Sequence, residues 1–247
     1  GVALGMAWTF VVGIAYRQRA QHPFNGVIAS LIFFGMLTIT FAWQVDQNVE
    51  ADTAALKVPI PQREILAEVW WEEGWQTLPR KRTRLKSVVA PEFNFQFAGE
   101  PETLARLLEQ HEWLKAEQAN WRWSILSLNP EPTEYTLPPL KKDYLGHPDV
   151  MLLHRLGGDP HTQEAVRIWD SGVRLQPGGQ AVYLGQVANE VLVQRMRLFS
   201  YWRALPTSQE KLGQLTSELA GLQITPGDDT LLLIREPGVL AGNRANP

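Results

Sequence analysis

Cysteine is absent from this chain of 247 residues. That excludes disulfides, thiolate metal sites and a cysteine nucleophile. Charge is absent from a long stretch: residues 26–43, GVIASLIFFGMLTITFAW, hold no acid and no base. Basic residues are in short supply. Arg17 and Arg19 are the only charges in residues 1–44, so residues 45–247 carry 21 Lys+Arg against 26 Asp+Glu, a net charge of −5. That acidity argues against nucleic acid as the partner. Catalytic signatures are missing as well: there is no P-loop, no Gly-x-Ser-x-Gly elbow and no His-Glu-x-x-His. Leu156-Gly157-Gly158-Asp159 and Pro177-Gly178-Gly179 read as turns, because no helix follows either one to receive a phosphate.

What is present begins with hydropathy. The uncharged run 26–43, as a helix rising ~1.5 Å per residue, spans about 27 Å, close to a bilayer's hydrocarbon core. Residues 1–16, GVALGMAWTFVVGIAY, are a second apolar run, with small residues of the kind that let membrane helices pack closely. The expectation is a transmembrane helical hairpin over 1–44, a linker over 45–61, a soluble domain over 62–236 and a flexible tail over 237–247. Positively charged loops stay in the cytoplasm. The Arg17–Arg19 loop therefore places residues 45–247 in the periplasm, at the inner membrane of a bacterium. The apolar start, with no basic segment before it, reads as the C-terminal part of a longer protein.

Within the soluble part, periodicity predicts a helix over Gln62–Glu73 ended by Gly74. Phe93–Phe97 alternates strictly and predicts a strand. Pro101 opens a helix that carries Leu104, Leu107 and Leu108 on one face and runs through Trp113 to about Ala116. Strands are expected over Trp121–Ile125, Val150–Leu156, Ala165–Trp169 and Gln180–Val187, with one long strand over Glu190–Trp202. A helix over Ser208–Leu222 and a strand over Thr230–Ile234 complete the pattern. The fold class expected is α+β: two transmembrane helices, then a soluble domain with a mostly antiparallel sheet and about three helices.

Three constellations could carry chemistry. The basic run Arg80, Lys81, Arg82, Arg84 and Lys86, beside Trp75, is a candidate contact for a lipid headgroup or phosphate. Lys and Arg on a solvated edge strand give the same pattern. His147, Asp149, His154, Asp159 and His161 have the density of a metal site, but they lie in and beside turns where polar residues are expected, so they are weak candidates and no metal or cofactor is assigned. Trp70, Trp71, Trp75, Trp113, Trp121, Trp123 and Trp169 could line a lipid groove or form a core. No catalytic residue is assigned.

Several short pieces, in order, resemble the LssY C-terminal domain. They are Trp70-Trp71-Glu72-Glu73-Gly74-Trp75-Gln76-Thr77-Leu78-Pro79 with Arg82, then Phe93–Gly99, the helix Leu104–Trp113, Val166-Arg167-Ile168-Trp169 and Ala181-Val182-Tyr183-Leu184-Gly185. The family has Gly-Trp where this chain has Glu112-Trp113. The resemblance implies attachment to a type 2 phosphatidic acid phosphatase membrane domain. Residues 1–17 are similar to the last helix of such a domain. That family's catalytic residues lie upstream of this helix, so none carries over. The function implied is an accessory or binding domain of a lipid-phosphate phosphatase, with membrane lipid and an upstream phosphatase domain as partners. The alternatives are a non-catalytic envelope scaffold and a hydrolase formed by the soluble domain itself.

Overall fold

Two long antiparallel strands, β7 (Thr162–Gln176) and β8 (Gln180–Arg195), form the spine of the sheet. Both continue well past the expected strands. The sequence signal fades at Asp170-Ser171-Gly172, where the register shifts in a bulge between Asp170 and Val173. Gly172 sits there at φ 77°, and its N–H donates to Asp170 Oδ1 at 2.8 Å. Left-handed backbone at a bulge favours glycine. The hairpin turn Pro177-Gly178-Gly179 follows a cis Gln176–Pro177 bond, with Gly179 at φ 73°.

The computed structural model describes residues 31–40, 57–82, 92–116, 137–195 and 199–238. The chain divides into two compact units, Gly1–Lys57 and Val58–Pro247. In the second unit the remaining strands are β1 (Arg63–Leu66), β2 (Phe95–Ala98), β3 (Leu114–Lys115), β4 (Asp143–Tyr144), β5 (His147–Pro148), β6 (Met151–Leu156), β9 (Phe199–Ala204), β10 (Gln223–Asp228) and β11 (Leu231–Arg235). The main sheet runs β10-β11-β2-β8-β7-β6-β3, with β9 against the far half of β8 and β1 against the far half of β7. β4 and β5 pair with each other.

Several expectations need correction. The two expected transmembrane helices are overturned: among the described residues no helix is long and apolar enough to cross a membrane. Run 1–16 lies outside the described residues. Of run 26–43, residues 31–40 are described and helical. Thr38 and Thr40 return their hydroxyls to Phe34 O and Met36 O at 2.7 and 2.8 Å. The sheet is mixed: most of its pairings are antiparallel, but β1 joins β7 and β11 joins β2 in parallel. Where about three helices were expected, the described residues of the second unit hold four short helical segments: α1 (Ala67–Glu72), a 3₁₀ turn (Gly74–Thr77), α2 (Pro101–Glu109) and α3 (Gln209–Glu218).

Individual elements shift for identifiable reasons. The first half of the expected helix 62–73 is strand β1, because β6 leaves Val173–Gln176 of β7 without a neighbour and Arg63–Leu66 takes that place. The expected strand 190–202 is the end of β8 folded back on β9, pairing Glu190 with Ala204 and Arg195 with Phe199. A two-residue period is the same before and after a reversal. The helix from Pro101 stops at Glu109 rather than near Ala116, and Glu112 turns the chain at φ 66°. The expected strand 121–125 lies outside the described residues.

One face of the sheet packs Phe95, Phe97, Val166, Ile168 and Val187 against Leu104 and Leu108 of α2 and Leu212, Leu215 and Leu219 of α3. Ser208 caps α3, accepting from Lys211 N. Gly185 admits the Phe95 ring, which a Cβ would meet at 2.1 Å. The opposite face carries Trp169, Leu184, Val182 and Leu175 under Trp70, Trp75 and Phe93. β2 is therefore buried on both sides, and Gln96 points inward, accepting from Trp70 Nε1 at 2.9 Å and donating to Trp75 O at 3.0 Å.

Candidate functional site

On the face away from α2 and α3, residues 137–142 cross the strands as an irregular strap. Irregular chain over a sheet brings backbone carbonyls that need donors once buried. Three side chains supply them. Trp202 Nε1 donates to Leu137 O at 2.6 Å, Arg167 Nη1 to Leu140 O at 2.7 Å and Trp169 Nε1 to Lys142 O at 2.6 Å. Asp149 Oδ2 accepts from Lys142 N at 3.1 Å.

Around these bonds lies a buried charge cluster. Arg167 is 1% exposed and pairs with Asp149 at 3.1 Å and with Glu190 at 3.2 Å. Lys142 Nζ also pairs with Glu190, which further accepts from Gln163 Nε2 at 2.9 Å. Register explains the grouping: Arg167 stands opposite Leu152 and Gln186, while Gln163 stands opposite Glu190. Arg82 is buried at the same place, its guanidinium 5.6 Å from the Trp169 ring centre.

Burial and pairing set the protonation of these groups. Burial pulls the Lys142 ammonium down to about 8; Arg167 pushes the same way, and Glu190 opposes. Burial pushes Glu190 up, but Arg167 and Lys142 outweigh it and hold the carboxyl at about 2. Burial raises Asp149 despite Arg167, and lowers the half-buried His154 despite Glu190. Five buried side-chain atoms of this region have no hydrogen-bond partner: Asp149 Oδ1, His154 Nδ1, Gln163 Oε1, Arg167 Nε and Ser200 Oγ.

The basic run is dispersed by the fold. Arg80 pairs with Asp228 at 3.0 Å and donates to Thr230 Oγ1 at 2.7 Å. Lys81 is exposed and pairs with Glu92 at 3.2 Å, Arg82 turns inward, and Arg84 and Lys86 lie outside the described residues. Trp75 is buried, with Nε1 donating to Glu72 O at 3.3 Å. The histidine and aspartate group is dispersed too. Asp149 belongs to Arg167, and His154 lies on the strap face of β6. His147 meets Val58 O at 3.0 Å, while Asp159 and His161 pair at 3.3 Å in an exposed turn. Among the described residues no group of three or more His, Asp or Glu is placed to hold a metal.

Trp70, Trp75, Trp113 and Trp169 are core residues; Trp121 and Trp123 lie outside the described residues. Lys142, Gln163, Arg167 and Glu190 escaped sequence reasoning. One signal was available: Arg167 sits between Val166 and Ile168, in a run apolar enough to be buried on both faces, where a charge needs a partner.

A family model described as LssY C-terminus matches residues 75–199. No curated protein and no solved structure matches the chain.

Proposed function

We propose that this chain, which belongs to the LssY C-terminus family, is a binding module that works at the periplasmic face of a bacterial inner membrane beside a lipid-phosphate phosphatase. One observation carries the reading: the charges inside the domain are spent on its own architecture. Arg167 divides its Nη donors among Leu140 O, Asp149 and Glu190, and Lys142 is held by Glu190. Such groups position a strap rather than meet a reacting atom. The cations left for a partner are at the surface, among them Lys81, whose side chain is 65% exposed. A pair exposed to that degree is held weakly by its own protein and can exchange for a lipid phosphate.

Sedimentation of the full chain with vesicles of phosphatidylcholine, with and without phosphatidic acid, tests this. The expected result is binding that requires phosphatidic acid, weakens as salt rises and falls in Lys81→Ala. Equal binding to both vesicles, or to neither, overturns the lipid contact. Release of phosphate from phosphatidic acid by the chain alone overturns the non-catalytic role.

A further inference from the structure

A second feature lies on the outer edge of β8. β2 pairs with this edge as far as Gly185, and β9 takes it up again at Glu190. Between them, among the described residues, no strand covers the edge. The side chain of Asn94 fills the gap by imitating a strand. Its Nδ2 donates to Val187 O at 2.8 Å and its Oδ1 accepts from Val187 N at 2.9 Å. Beside it is a cavity of ≈ 310 Å³ lined by Glu92, Asn94, Gln186, Thr207, Gln209 and Thr230, among others. Asn94 and Gln186 are each about nineteen-twentieths buried, at 5% and 4% exposure.

The hydrogens of this lining are largely spent within the protein. Asn94 Nδ2 gives its second hydrogen to Thr207 Oγ1 at 2.7 Å, and the Thr207 hydroxyl donates to Val187 O at 2.7 Å. The Thr230 hydroxyl donates to Asp228 Oδ1 at 3.0 Å. Gln186 Nε2 donates to Glu92 O at 3.3 Å, and Gln209 Nε2 donates to Asp229 O. Because each of those acceptors is a backbone carbonyl, the amide orientations are fixed by chemistry. What remains uncommitted is oxygen: Gln186 Oε1, Gln209 Oε1 and the Glu92 carboxylate oxygen that does not face Lys81.

We propose that this cavity binds a primary ammonium group, such as an aminoalkyl headgroup or an amino sugar. An ammonium offers three donors, no acceptor and one positive charge. The lining residues offer three acceptor oxygens, one of them from the Glu92 carboxylate. A phosphate brings like charge to these oxygens, and a neutral polyol brings hydroxyl donors without the positive charge that the Glu92 carboxylate would meet. The inference meets the lipid-phosphate contact at Glu92, the partner of Lys81, but its test needs no vesicle and no anion, so the two can fail separately.

Titration of the full chain with ethanolamine, followed by NMR or calorimetry, tests it, with choline, glucose and inorganic phosphate as comparisons. Choline has the same charge and no N–H donor. Ethanolamine is expected to bind saturably in the millimolar range, with choline at least about tenfold weaker. Gln209 is exposed at the start of α3, so Gln209→Met is expected to keep the melting temperature while weakening ethanolamine by about fivefold or more. Glu92→Gln is expected to weaken it further. Choline equal to ethanolamine, preference for glucose or phosphate, unchanged binding in Gln209→Met, or no ethanolamine binding by the folded chain would each overturn the proposal.

Discussion

The two faces of the sheet bury charge in opposite ways. On the helix face, Arg155, Glu164, Lys211 and Glu218 form a network at the rim of an apolar core. Arg155 binds Glu164 through Nε at 2.9 Å and Glu218 through Nη1 at 2.8 Å, and it stacks 4.6 Å from the centre of the Trp113 ring. Glu218 also accepts from Trp113 Nε1 at 2.8 Å and Gln214 Nε2 at 3.0 Å. No side-chain atom of that network is both buried and unpartnered. On the strap face, the charges lie beneath irregular chain, and five buried atoms are left over. A helix satisfies its own backbone, so the residues beneath it can be apolar and ion pairs can stay at the margin. A strap does not, so donors must be buried to serve its carbonyls. The charges that come with them then have to be neutralised in place.

Breaking one arginine on each face tests this difference most severely. Arg167→Met should cost roughly 3–5 kcal/mol, because it takes from Asp149 its paired cation and leaves Glu190 only Lys142 and the Gln163 amide. Arg155→Met should cost only about 1–2 kcal/mol, because Glu164 keeps Lys211 and Glu218 keeps Trp113. Urea unfolding of both variants decides the matter; equal costs would mean that the strap's contacts are worth no more than the rim's.

Acid should separate the faces next. Glu190 is held at about 2 against an ordinary 4.5. A depressed carboxyl contributes stability that is fully present above its unfolded pKa and is lost as pH falls through the folded one. The loss between about pH 4.5 and 2 should approach roughly 3 kcal/mol. Glu190→Gln should flatten that slope. Lys142 has the opposite sense: its ammonium is disfavoured in the fold, so stability should rise between about 8 and 10.5. Denaturant midpoints measured across pH read both windows.

The smallest effect lies at the end of α2. Glu112 is left-handed without being glycine, at φ 66°. Glu112→Gly should stabilise the domain by about 0.5–1 kcal/mol, the relief of backbone strain less the entropy cost of glycine. A rise of a few degrees in melting temperature checks it. This is the position at which the resemblance in sequence finds glycine, and the turn geometry gives that preference its reason.

How much could be read in the sequence depends on which interactions make each element. Met151–Leu156, Leu231–Arg235 and the leucine face of α3 were legible because a local period of apolar residues marks a strand or helix wherever it packs. Strand β1 was not, because Arg63–Leu66 has no strand signal of its own and exists as a partner for β7. At the candidate sites, proximity in sequence was a poor guide. Arg80, Lys81 and Arg82 are consecutive, yet they turn toward Asp228, Glu92 and the core.

The sequence by itself determined the apolar periods, the turns at Gly157–Pro160 and Pro177–Gly179, and the family, because these depend on residue order over short spans. Only the tertiary structure decided that Lys142, Asp149, Arg167 and Glu190 share one buried cluster and that Asn94 stands in for a missing strand. Those groupings arise from register between strands far apart in the chain. A residue's neighbours across a sheet are fixed by which strands pair and in what alignment, and no local pattern encodes that.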